Sequence, residues 1–90
     1  MKAIGKKANG ETVEFEVEDG KVSCSNNQFT ELILPKGIEY VSCSNNQLTE
    51  LILPKGVKYV CCYNNQLTEL ILPEGVEYVD CDPNVKKIYK

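Results

Sequence analysis

CSNNQLTELILPKGVKYVC, residues 43–61, is preceded by CSNNQFTELILPKGIEYVS (24–42) and followed by CYNNQLTELILPEGVEYVD (62–80), so the chain restates itself every 19 residues. A broken fourth copy, CDPNVKKIYK, starts at Cys81. A fixed period of this kind is the signature of coils stacked on one another, each burying an apolar face that it could not bury alone. Each residue is then read as a member of a column that runs through the stack.

Within each copy, Tyr40-Val41-Ser42-Cys43-Ser44, Tyr59-Val60-Cys61-Cys62-Tyr63 and Tyr78-Val79-Asp80-Cys81-Asp82 alternate in and out as a half-buried strand does. Stacked in register, they form a parallel sheet with rows ~4.8 Å apart. Val22, Val41, Val60 and Val79 make one inward column, and Cys24, Cys43, Cys62 and Cys81 the next. Phe29, Leu48 and Leu67 extend the core, as do the pairs Leu32/Leu34, Leu51/Leu53 and Leu70/Leu72. Asn27, Asn46, Asn65 and Asn84 fall where the chain leaves the strand, and their amides suit the backbone groups that a turn leaves unpaired. Pro35, Pro54 and Pro73, each followed two residues later by Gly, mark the return turns.

Counted from the residue after each glycine, the unit is V-x-x-V-x-C-x-x-N-x-L-T-E-L-I-L-P-x-G. It resembles the leucine-rich repeat pattern L-x-x-L-x-L-x-x-N-x-L, with Val and Cys in two of the leucine columns. The resemblance is to short bacterial and phage-type repeats with NNQLTxL and LPxGVxYV segments, and it covers Asp19 to Lys90. It implies a protein-binding module. The segment T-E-L-I-L-P leaves no room for a convex-side helix, so extended or turn structure is expected there. The fold expected is a single all-β domain over residues 1–90: a small parallel β solenoid of about 3.5 repeats (21–81), an N-terminal β-hairpin cap (1–20) and a degenerate C-terminal cap (82–90).

Stacks of coils need their ends covered. Asn9-Gly10 and Asp19-Gly20 both read as two-residue hairpin turns of the primed type. A turn at Asp19-Gly20 pairs Val17 with Val22 and Phe15 with Cys24, keeping apolar residues together, and this register predicts an antiparallel hairpin that continues the parallel sheet. Lys2 to Lys7 is then expected as the outer edge strand, its lysines discouraging aggregation. At the other end Val85-Lys86-Lys87-Ile88 imitates L-T-E-L with one residue deleted.

Composition narrows function. Ten lysines against thirteen carboxylates give a net charge of −3, with no His, Arg or Trp. The usual base near neutrality, the guanidinium fork for phosphates and the commonest interface anchors are missing, so a non-enzymatic protein without a cofactor is expected. Neither direct nucleic-acid binding nor a membrane span is expected, for want of a basic stripe and of ~20 consecutive apolar residues; a cytoplasmic location is expected. The cysteine column reads as buried reduced thiols, and zinc has neither a C-x-x-C nor a histidine to recommend it. Cys61 alone turns outward and is the thiol expected to react first. Asp80 and Asp82, with Glu77 near, read as a solvated acidic end rather than a calcium site, which wants six to eight oxygens.

Two surfaces are therefore candidates. The outer strand face carries Tyr40, Tyr59, Tyr63 and Tyr78 at its centre, with Glu14, Glu16, Glu18, Asp80 and Asp82 at its rim, and is the expected site for a protein partner. An alternative reading takes the carboxylates as an acidic, phage-encoded inhibitor or nucleic-acid mimic that fills a basic groove on a host-defence nuclease or another nucleic-acid-binding protein. On the opposite side, alternation in L-I-L leaves Ile33, Ile52 and Ile71 outward as an apolar stripe, the expected interface of a homodimer.

Overall fold

The computed structural model describes residues 1–90 as an all-β chain with nine strands. They are β1 (Lys2–Lys7), β2 (Thr12–Glu16), β3 (Lys21–Ser23), β4 (Phe29–Ile33), β5 (Tyr40–Ser42), β6 (Tyr59–Cys61), β7 (Glu69–Leu72), β8 (Tyr78–Asp80) and β9 (Lys86–Tyr89). The repeats stack as a β solenoid of about four turns. Strands β3, β5, β6 and β8 form one parallel sheet, each neighbour displaced by 19 residues: Val22 pairs with Val41, Val41 with Val60, and Val60 with Val79.

Each of these strands is three residues long, shorter than the five suggested by alternation, because the turn begins at the cysteine. Inter-coil bonding nevertheless continues through it. The Cys24, Cys43 and Cys62 N–H groups donate to the carbonyls of Ser42, Cys61 and Asp80, at 2.8 Å each. The chain then bends at Asn26, Asn45 and Asn64, whose φ values of 63°, 58° and 58° lie in the left-handed region that Asn tolerates better than most residues.

The second asparagine of each pair ties the bend down. In Asn46, Nδ2 donates to the carbonyls of Cys24 and Cys43, both at 3.0 Å, and Oδ1 accepts from the Asn27 and Phe29 N–H groups. Asn65 repeats the arrangement one coil on, toward Cys43 O, Cys62 O and Leu48 N–H. Each amide therefore crosslinks two coils. Asn84 does not join this ladder and is exposed. In its place the Asp82 carboxylate accepts from Asn64 N–H and Asn65 N–H, closing the last bend.

The inward columns hold through the middle of the stack, while Val79, Leu34 and Leu53 are only partly buried against the core. Val41, Cys43, Leu48, Val57, Val60 and Cys62 are buried, and each T-E-L-I-L segment turns its first leucine inward and its isoleucine out. Cys81 departs from its column and is only half-buried, since no fifth coil lies over it.

The N-terminal hairpin cap is present as β1-β2, but it does not continue the parallel sheet as expected. Only Glu18 and Lys21 pair across the Asp19-Gly20 turn, and β2 does not continue along β3. Instead β2 pairs with β1, Ala3 facing Phe15, and β1 pairs with β4 in the order β2-β1-β4. Lys2–Lys7 is thus the central strand of this sheet, and β2 is its edge. The deciding contact is aromatic. Phe29, where other coils have Leu, meets Phe15 edge-on at 5.5 Å between ring centroids, and its ring lies against Gly5, where a Cβ would come within 2.5 Å of it. The Asn9-Gly10 connection is also not of the primed two-residue type. Gly10 N–H bonds to Lys7 C=O and only Gly10 has positive φ, which makes it a type I turn followed by a left-handed glycine.

At the C-terminus β9 runs parallel to β7 with Lys86 opposite Glu69 and Ile88 opposite Ile71. The degenerate copy therefore sits one residue away from the L-T-E-L alignment.

Candidate binding surfaces

The strand face is built by the parallel register. Because Tyr40, Tyr59 and Tyr78 each start a strand, they fall in one row across the sheet. The Tyr40 and Tyr59 rings stack at 4.4 Å between centroids with 17° between their planes, and the Lys21 ammonium stands 5.4 Å from the Tyr40 centroid. Lys21, Tyr40 and Tyr59 thus form a continuous stack, closed by a cation at its N-terminal end. At the other end the Tyr59 hydroxyl donates to Glu77 Oε1 at 3.0 Å, and this carboxylate, through the hydrogen bond first and its charge second, raises the phenol above its ordinary pKa.

Tyr78 lies in register but is more open, and Tyr63, Tyr40 and Tyr78 all remain exposed. Of the expected rim, Glu16 and Glu18 approach this face: with Lys21, Ser23, Tyr40 and Ser42 they line a groove of about 490 Å³. Glu14 does not, because on β2 it faces Ile4 and meets the Lys2 ammonium at 3.4 Å. Asp80 is half-buried beside Cys61, and Asp82 is engaged by the last bend. The Ser44 hydroxyl is buried on this side without a partner.

The thiols are held in their neutral form. Burial pushes Cys24 up to about 11 and Cys62 up to about 12, and raises Cys43 further with help from its neighbours in the column. Cys61 is partly open, yet desolvation first and the Asp80 carboxylate second raise it too. Two thiols are therefore accessible, Cys61 and Cys81, where the alternation singled out Cys61; nothing nearby activates Cys61 as a nucleophile. No group of three or more Cys, Asp or Glu is arranged to hold a metal ion.

On the convex side Ile33, Ile52 and Ile71 are exposed by 55%, 71% and 46%. The middle one is the most open because its segment has no strand partner. Two grooves flank it, one of about 270 Å³ toward the first coil and one of about 320 Å³ toward the third. Sequence reading placed the stripe outward but had no signal for these grooves, since the three segments are identical there.

No helix of the chain is long and apolar enough to cross a membrane. Neither a family model, nor a curated protein, nor a solved structure matches the chain.

Proposed function

We propose that the protein is a non-enzymatic binding module that engages a protein partner through its tyrosine-lined strand face, as its resemblance to short leucine-rich repeats implies. The observation that carries this reading is the registered row Tyr40-Tyr59-Tyr78, two of whose rings are already stacked and therefore lose little freedom on binding. Contact with a partner would cover aromatic area at low entropic cost, while Glu16, Glu18 and Lys21 around the adjoining groove supply charge that sets orientation and association rate. Four short strands project only some 200 Å² of flat sheet at ~4.8 Å spacing, so the site must extend onto that groove to approach the ~800 Å² of a standard interface.

The acidic-mimic reading has less support in the geometry. Asp82 is committed to backbone N–H groups and Glu14 to Lys2, which leaves the carboxylates dispersed rather than spaced as a row of phosphates.

The test is a pull-down from native lysate with wild type and with Tyr40→Ser and Tyr59→Ser variants of verified fold. A partner retained by wild type and lost by both variants supports the strand face. If the partner is kept by both variants and released by modest salt, the acidic reading takes its place.

A further inference from the structure

The convex segment T-E-L-I occurs three times, and in two of them another part of the chain is docked on it. Strand β1 lies antiparallel on β4 with Lys6 opposite Glu31 and Ile4 opposite Ile33. Strand β9 lies parallel on β7 with Lys86 opposite Glu69 and Ile88 opposite Ile71. The two end strands run in opposite senses and come from unrelated segments, yet each presents a lysine to the glutamate and an isoleucine to the isoleucine, two residues apart. The Thr30 hydroxyl adds a bond to the Lys6 carbonyl, and Lys86 N–H bonds to the Thr68 carbonyl, so the threonine position also contributes.

The middle copy, Thr49-Glu50-Leu51-Ile52, carries the same residues and has no such partner. None of residues 49–53 lies in a strand or takes part in a backbone hydrogen bond; Leu51 packs into the core, and the nearest backbone bonds to the neighbouring coils are Gln47 N–H to Phe29 C=O and Gln66 N–H to Leu48 C=O. Beyond those two bonds the coils open into the two grooves, whose walls include Glu31, Glu50 and Glu69 along with Ile33, Ile52 and Ile71, with Lys90 at the groove toward the third coil. Their volumes suit the side chains of a short extended segment and not a folded ligand.

We infer that the middle coil's convex segment is an acceptor for an extended peptide strand in which lysine and a branched aliphatic residue stand two positions apart. The occupant's charge is set by the three glutamates around it, which outnumber the single Lys90, and its alternation by the two internal examples. Backbone groups of residues 49–53 would find in it the partners that β1 gives β4 and β9 gives β7, in the manner of strand addition. This site lies on the side of the coil away from the tyrosines and does not depend on the reading of the strand face.

The probe is a synthetic peptide in which Lys and Ile alternate with Thr, and the control is the same peptide with Glu for Lys. Titration of the intact protein should give saturable binding of the lysine peptide, amide shifts centred on residues 49–53, and no binding of the control. Glu50→Lys and Ile52→Ser should each weaken it by about tenfold, and Glu50→Lys should gain affinity for the control peptide. Both positions are exposed, so the variants keep the fold, which their circular dichroism verifies. Tyr40→Ser should leave the titration unchanged. Failure of the lysine peptide to bind, equal binding by the Glu50 and Ile52 variants, or shifts confined to β4 and β7 through displacement of β1 or β9 would each overturn the inference.

Discussion

The hexapeptide TELILP stands at residues 30–35, 49–54 and 68–73, and takes two different structures. In the first and third coils most of it is strand; in the middle coil none of it is. On the other side of the same coils, Y-V-x segments of differing composition all form one parallel sheet. Strand structure here is conferred by a partner at hydrogen-bonding distance, not by intrinsic preference, in keeping with the context dependence of β propensity. The strand side closes because the asparagines pin adjacent coils together. The convex side closes only where β1 or β9 arrives.

The first way to break this comparison is to remove a pin. Asn46→Ala takes the acceptor from the Asn27 and Phe29 N–H groups and one of two amide donors from each of the Cys24 and Cys43 carbonyls, which keep Asn27 and Asn65, and urea denaturation should record a loss of about 2–4 kcal/mol. The same substitution at the exposed Asn84 should cost within about 0.5 kcal/mol. Cys43→Ser, which puts a poorly satisfied hydroxyl into the buried column, should cost about 1–3 kcal/mol.

Gly5→Ala tests the convex side at its N-terminal end. The new methyl meets the Phe29 ring, and the overpacking should cost about 1–3 kcal/mol. Amide exchange should quicken in β1 and β4 while β5 and β6 stay protected. Quickening across all four parallel strands would mean that the two sides of the coil are not separable.

The thiol column predicts a pH response with a definite sign. Its folded pKa values are raised, so the unfolded chain releases these protons first as pH rises; stability is level in acid and falls above the ordinary thiol range near pH ~8.5. The decline should run toward about 11 for Cys24 and about 12 for Cys62, approaching about 1.4 kcal/mol per pH unit for each thiol. Thermal melts at pH 7 and 10 with reductant check it. A stable protein at pH 10 would contradict the buried column.

The smallest effect sharpens the contrast within the convex side. Glu69→Lys sets two lysines opposite each other and should cost about 0.2–1 kcal/mol, whereas Glu50→Lys, with nothing across from it, should be close to neutral.

Much of this architecture is legible in the sequence because a repeat removes ambiguity. The period gives the register, the register gives the columns, and Tyr as the first residue of three of the four parallel strands places the aromatic row. The asparagine ladder follows in the same way, up to Asn84, where the pattern has already broken. The N-terminal hairpin was legible but its docking on β4 was not, since pairing β2 with β3 kept every apolar residue matched on paper. The missing term was three-dimensional: Phe29 replaces a leucine at the end of the stack, and Gly5 is the residue that lets a strand cross its ring. The tyrosine face could be drawn from alternation, whereas the acidic rim could be drawn only in part, because Glu14 meets Lys2 and Asp82 closes the last bend while Glu16 and Glu18 stay beside the face. The grooves beside Ile52 had no sequence signal at all, for the same residues are covered in one coil and open in the next.

Amide hydrogen exchange resolved by residue is the most direct measurement of that difference. Amides of the first and third TELILP copies that bond to β1 and β9 should exchange slowly, and those of residues 49–53 should exchange fastest of the three copies under the same conditions. Equal protection in all three copies would mean that the hexapeptide makes its own strand, and the account of partner-conferred structure on the convex side would be wrong.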